Sequence, residues 1–138
     1  MLENAKVNVK IKLSLLWASV LFCYLYGDYF ELYVPDKVDS LLTGTNVLDS
    51  PSKLLIASVV LAIPALMVAL SVLLNPKFNR ILNILFGILF TVMMVFIGIS
   101  SITPWYSFYV FLAFLESLIT ILIVRFAWKW PKKTPTLD

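Results

Sequence analysis

Residues 105–128 read WYSFYVFLAFLESLITILIVRFAW, an apolar run in which only Glu116 and Arg125 carry charge. At about 1.5 Å per residue, a helix of this length crosses the roughly 30 Å hydrocarbon core of a bilayer. Backbone N–H and C=O groups find no water there, so the segment must close its hydrogen bonds within itself, as a helix. Three further runs of this kind lie at about 13–34, 54–74 and 81–102. The expected fold is therefore all-α: an integral membrane four-helix bundle, a single domain over residues 1–138.

Composition agrees. Hydrophobic residues make up 61% of the 138 and charged residues 14%, far outside the range of soluble domains. The single cysteine, Cys23, excludes an intrachain disulfide and reads as a small buried hydrophobe. The absence of histidine rules out a histidine metal site, a Ser-His-Asp triad and a Cys-His pair. Four scattered glycines form no phosphate loop. No catalytic residue, metal site or cofactor is expected, and the chain is expected not to be an enzyme. The first run is too long for a cleavable signal and ends in Tyr26, Asp28 and Glu31 rather than at a small-residue cleavage site.

Basic residues place the loops. Lys6, Lys10 and Lys12 precede the first span, Lys77 and Arg80 separate the second from the third, and Arg125, Lys129, Lys132 and Lys133 close the chain. Only Lys37 and Lys53 fall on the opposite side, so both termini are expected in the cytoplasm and the loop 35–53 outside. Trp105, Tyr106, Trp128 and Trp130 mark the two interfaces of the fourth span. Short connections at Asn75-Pro76-Lys77 and Thr103-Pro104 make consecutive spans antiparallel, an up-down-up-down bundle. In the outer loop, Asp36 is expected to cap a short helix through Leu42 with Gly44 past its end, its Val38, Leu41 and Leu42 face resting on the membrane. Ser50-Pro51 reads as N-cap and first residue of the second span. No basic patch with base-stacking aromatics is present, so no nucleic-acid partner is expected.

The candidate site residues are the acids at depth. Glu116 lies roughly 16 Å into the fourth span, near the midplane, and Asp28 roughly 9 Å into the first. Glu31 lies one turn from Asp28 on the same face as Trp17, Leu21 and Tyr24. Intramembrane acids mark ion paths and proton relays, or serve only as interhelical hydrogen-bonding groups. Asp28, Glu31 and Glu116, with the hydroxyls of Tyr24 and Tyr109, are expected to form an acidic vestibule opening outward, for a proton, a cation or a small cationic solute. Pro64 leaves the Val60 carbonyl without its helical donor, and a neutral Glu116 at similar depth is expected to supply one. Asn79, Arg80 and Asn83 form a polar cluster at the inner mouth of the third span, as a helix-end anchor or a lipid-phosphate site. The small residues Gly87, Thr91 and Gly98 of the third span, and Ser58, Ala62, Ala65 and Ala69 of the second, are expected to be packing faces.

The chain resembles a family of small four-span prokaryotic membrane proteins of unknown function. The likeness rests on Leu16-Trp17, Tyr24-Leu25-Tyr26-Gly27-Asp28, Ile63-Pro64, Asn79-Arg80-Ile81-Leu82-Asn83-Ile84 with Gly87, Leu115-Glu116 and Ala127-Trp128-Lys129-Trp130. It implies the same architecture in a prokaryotic cytoplasmic membrane, and no particular activity. Two functions follow: proton- or cation-linked transport or small-ligand binding through the carboxylates, or a non-catalytic accessory subunit of a larger membrane complex. Four short helices enclose little space, so the first reading calls for a homodimer.

Overall fold

The structure, a computed structural model, describes residues 6–132; Lys133 of the basic C-terminal group lies outside them. Its long helices are α1 (Val9–Glu31), α3 (Pro51–Leu73), α4 (Pro76–Ser100) and α5 (Ser107–Trp128), with the short α2 (Lys37–Thr43) in the loop after α1. The four long helices, the last taken with the 3-10 turn Pro104–Tyr106 that leads into it, are long and apolar enough to cross a membrane.

Local chemistry sets most boundaries. Asn8, Ser50 and Asn75 cap α1, α3 and α4 by accepting from the backbone N–H groups of Lys10, Lys53 and Phe78. Proline follows the cap directly in α3 and α4, where its missing N–H costs nothing. The first helix begins one turn before the expected residue 13 and stops at Glu31 rather than Val34, because Asn8 supplies a cap and the chain turns at Leu32. The short loop helix forms as expected, with Gly44 at φ 70° ending it. Asp36 does not cap it through its side chain: its own backbone is left-handed, φ 62°, and it makes no side-chain cap bond.

The helices are arranged in the cyclic order α3, α1, α5, α4. Packing is closest between α4 and α5, substantial between α1 and each of α3 and α5, and slight between α3 and α4. Lys10 Nζ donates to the carbonyls of Val72 (3.2 Å) and Leu74. Arg80 donates from Nε to the Ala127 carbonyl (3.2 Å) and from its terminal nitrogen to that of Trp128 (3.4 Å). The starts of α1 and α4 thus meet the ends of α3 and α5, and sequence neighbours run antiparallel.

The bundle has a packed half and a hollow half. Leu13, Trp17 and Val20 of α1, Met67 of α3, Phe90 of α4, and Ile123 and Ala127 of α5 form one buried cluster at the end where Lys10 and Arg80 lie. The Trp17 and Phe90 rings meet edge to face at 5.9 Å. Gly87 allows the close approach of α4 to α5: a Cβ there would stand 2.7 Å from Val124 Cγ2. Thr91 and Thr120 hydroxyls bridge the same two helices at 2.7 Å. The small-residue stripe of α4 is therefore a packing face. The stripe Ser58, Ala62, Ala65 and Ala69 of α3 is exposed along the outside of the bundle and faces away from the other helices of this chain.

Candidate functional site

Toward the other end, α3 and α4 draw apart. They touch where Ser71 meets Asn79 and Asn83. Beyond that, a cavity of about 450 Å³ lies between them, walled also by α1 and α5 and rimmed by Val47 and Leu48 of the outer loop. Most of its wall is hydrocarbon, including Met93, Met94 and Ile97 of α4 and Leu112 of α5. The polar side chains that line it are Cys23, Tyr24, Asp28, Tyr109 and Glu116.

Glu116 is held deep in this wall, 3% exposed. Its backbone carbonyl accepts from Thr120 Oγ1 at 3.0 Å, but no hydrogen bond reaches its carboxyl among the described residues. The expected bond to the Val60 carbonyl, freed by Pro64, is not formed; Val60 and Glu116 instead line the same space. Irregular backbone polarity at this depth is tolerated where it borders a cavity. Tyr24 lines the cavity as well, and its hydroxyl is buried without a partner among the described residues. The Tyr109 ring packs over Gly27, 3.5 Å from where a Cβ would stand, an ordinary contact distance. Asp28 is exposed and stands at the rim.

Glu31 does not belong to this vestibule. It turns the other way, pairing with Lys37 Nζ at 2.6 Å and accepting from the Tyr106 hydroxyl at 3.3 Å. It ties the start of the outer loop to the start of α5, amid an aromatic belt that includes Phe30, Tyr33 and Phe108. One turn of α1 separates Asp28, which lines the cavity, from Glu31, which is not among its lining residues.

The two asparagines of the polar cluster on α4 face the interior of the bundle. Asn79 and Asn83 are wholly buried. Asn79 donates to the Ser71 carbonyl, Asn83 donates to the Asn79 carbonyl (2.9 Å) and side chain (2.6 Å), and Trp17 Nε1 donates to Asn83 Oδ1 at 2.8 Å. Arg80 is occupied by the α5 carbonyls. Together these groups lock the packed end of α1, α3, α4 and α5.

Sequence reasoning left Cys23, Met93, Met94 and the loop residues Val47 and Leu48 out of the site. Cys23, Tyr24, Gly27 and Asp28 recur at helical spacing on α1, which is a signal for the first of these. Nothing local marks the loop pair, because their role comes from where the loop crosses.

An all-helical chain whose four long helices wall an acid-bearing cavity is the class defined by this fold and site. The chain matches the family described as a family of unknown function (DUF6326) over residues 2–136, and it belongs to that family. No curated protein and no solved structure matches it.

Proposed function

We propose that this chain is a multi-pass protein of a prokaryotic cytoplasmic membrane that binds a small cation through Glu116, with access from the outer face and both termini inside. The observation that carries the reading is Glu116 itself: a deeply buried residue whose carboxyl has no hydrogen-bond partner among the described residues, on the wall of a cavity with room for a ligand. A lone carboxylate in low dielectric is costly, and such residues take a proton or a cation partner. Asp28 at the rim adds negative potential on the way in. The lysine and arginine imbalance supports the orientation. The packed half, with Trp17 and Phe90 at its centre, closes the route to the opposite face, so binding is favoured over a continuous pore. Carriage across the membrane would take a second arrangement in which that half opens. No catalytic role is assigned to any residue.

The test is charge displacement on solid-supported membranes, with a cation panel running from sodium through methylammonium to decylammonium. At least one member should give a saturable signal that is lost in Glu116→Gln and weakened in Asp28→Asn. Signals equal in wild type and Glu116→Gln, or no signal from any member, reject the reading.

The exposed small-residue face of α3 favours a second reading, as an accessory subunit or homodimer. Ser58, Ala62, Ala65 and Ala69 would let another helix approach closely. A stoichiometric subunit in gently solubilised membranes, lost on Ala65→Leu, would support it. A monomer unaffected by that change would reject it.

A further inference from the structure

The cavity is a poor host for a hydrated inorganic ion. Hard cations need about six or more oxygen ligands to replace their water. Here the buried carboxyl of Glu116, the carboxyl of Asp28 out at the rim, two phenols and one thiol stand in a wall that is otherwise mostly hydrocarbon. No group of three or more His, Cys, Asp or Glu side chains that could hold a metal ion occurs among the described residues. An organic ammonium ion has different needs. One carboxylate balances its charge, aromatic faces attract it, and its carbon body gains from apolar walls and adaptable methionines. The volume, about 450 Å³, falls in the roughly 300–1,000 Å³ range of small-molecule sites.

The shape of the cavity points the same way. It lies where α3 and α4 part, with Ala57, Val60 and Leu61 on one side and Met93 and Ile97 on the other. Leu61 is 40% exposed and so reaches the outer surface of the bundle, where bilayer hydrocarbon would lie. Cavity wall and lipid-facing surface thus adjoin at this slot.

We propose that the cavity takes a lipophilic organic ammonium ion from the bilayer, its nitrogen on Glu116 beside Tyr24 and Tyr109 and its hydrocarbon body in the slot between α3 and α4. This rests on the cation-binding reading of Glu116 and names the ligand class. Two observations support it independently: among the described residues no group bonds the carboxyl of the buried Glu116, and the Tyr24 hydroxyl in the same wall is buried without a partner.

The experiment uses the full chain in phosphatidylcholine nanodiscs equilibrated with radiolabelled decylamine. Empty nanodiscs of the same lipid subtract simple partitioning, and nanodiscs carrying Glu116→Gln serve as the reference protein. Wild type should bind decylamine saturably, and Glu116→Gln should weaken binding by about tenfold or more. Unlabelled decylamine should displace the label; methylamine, sodium and neutral decanol should not. Ala57→Trp, which fills the slot away from Glu116, should also reduce binding, and it serves as the reference if Glu116→Gln does not fold. Displacement by methylamine or sodium as effective as by decylamine overturns the lipophilic assignment while leaving Glu116 a cation site. Displacement by decanol to the same extent, or binding unchanged in both variants, overturns both and makes the slot a crevice for lipid chains.

Discussion

Trp17 donates its indole N–H to Asn83 Oδ1 across 2.8 Å in the interior of the bundle, joining α1 to α4, which are not sequence neighbours. Asn83 in turn bonds Asn79 and Ser71, so three helices share one polar knot in which both asparagines and Ser71 are fully buried. Asn83→Leu would leave several of these groups unpaired at once. It should lower stability by about 1–3 kcal/mol, read as a drop in the melting temperature of purified protein. Trp17→Phe removes one bond and should cost less, about 0.6–1.7 kcal/mol. An Asn83→Leu protein that melts with wild type would show that the knot contributes nothing to holding the helices.

Gly87 faces a stiff neighbour. A Cβ at this position would sit 2.7 Å from Val124 Cγ2, and β-branched valine has little freedom to move away. Gly87→Ala should therefore destabilise the α4–α5 pair, by about 1–3 kcal/mol from overpacking. Val124→Ala in the same chain should recover most of that loss. Failure of the double variant to recover would place the strain elsewhere.

Glu116→Leu should melt no lower than wild type. From sequence, its loss was expected to cost a partner its hydrogen bond; in the structure its carboxyl has none among the described residues. Replacing an unpaired polar group with hydrocarbon in a mostly apolar wall should stabilise by about 1 kcal/mol. A fall of that size in thermal unfolding would reveal a hydrogen bond made within the fold.

Orientation can be read chemically. In a Cys23→Ser background, a cysteine at Ser40 in α2 should react with an impermeant maleimide added to intact cells, and one at Lys132 should not. The reverse pattern would turn the cavity toward the cytoplasm and undo the account of access from outside.

The sequence by itself determined the four long helices and the start of α3 at Ser50-Pro51. Length and apolarity act residue by residue, so four spanning segments are legible without any contact being known. The caps are equally local: Ser50-Pro51 and Asn75-Pro76 start α3 and α4 by satisfying N–H groups within one turn. That Glu116 must be special also follows from one residue at one depth. Only the tertiary structure decided which way each helix faces. In a soluble protein the buried face differs in polarity from the exposed face, but in lipid both are apolar, so hydropathy is silent on rotation about the helix axis. This is why the small-residue face of α3 looks outward, why Asn79 and Asn83, read as a helix-end anchor or a lipid-phosphate site, lie in the interior, and why Asp28 and Glu31, on one face of one helix, part company at the cavity rim. The cavity itself depends on α3 and α4 meeting at Ser71 and diverging beyond it, a relation between helix axes that no single segment encodes.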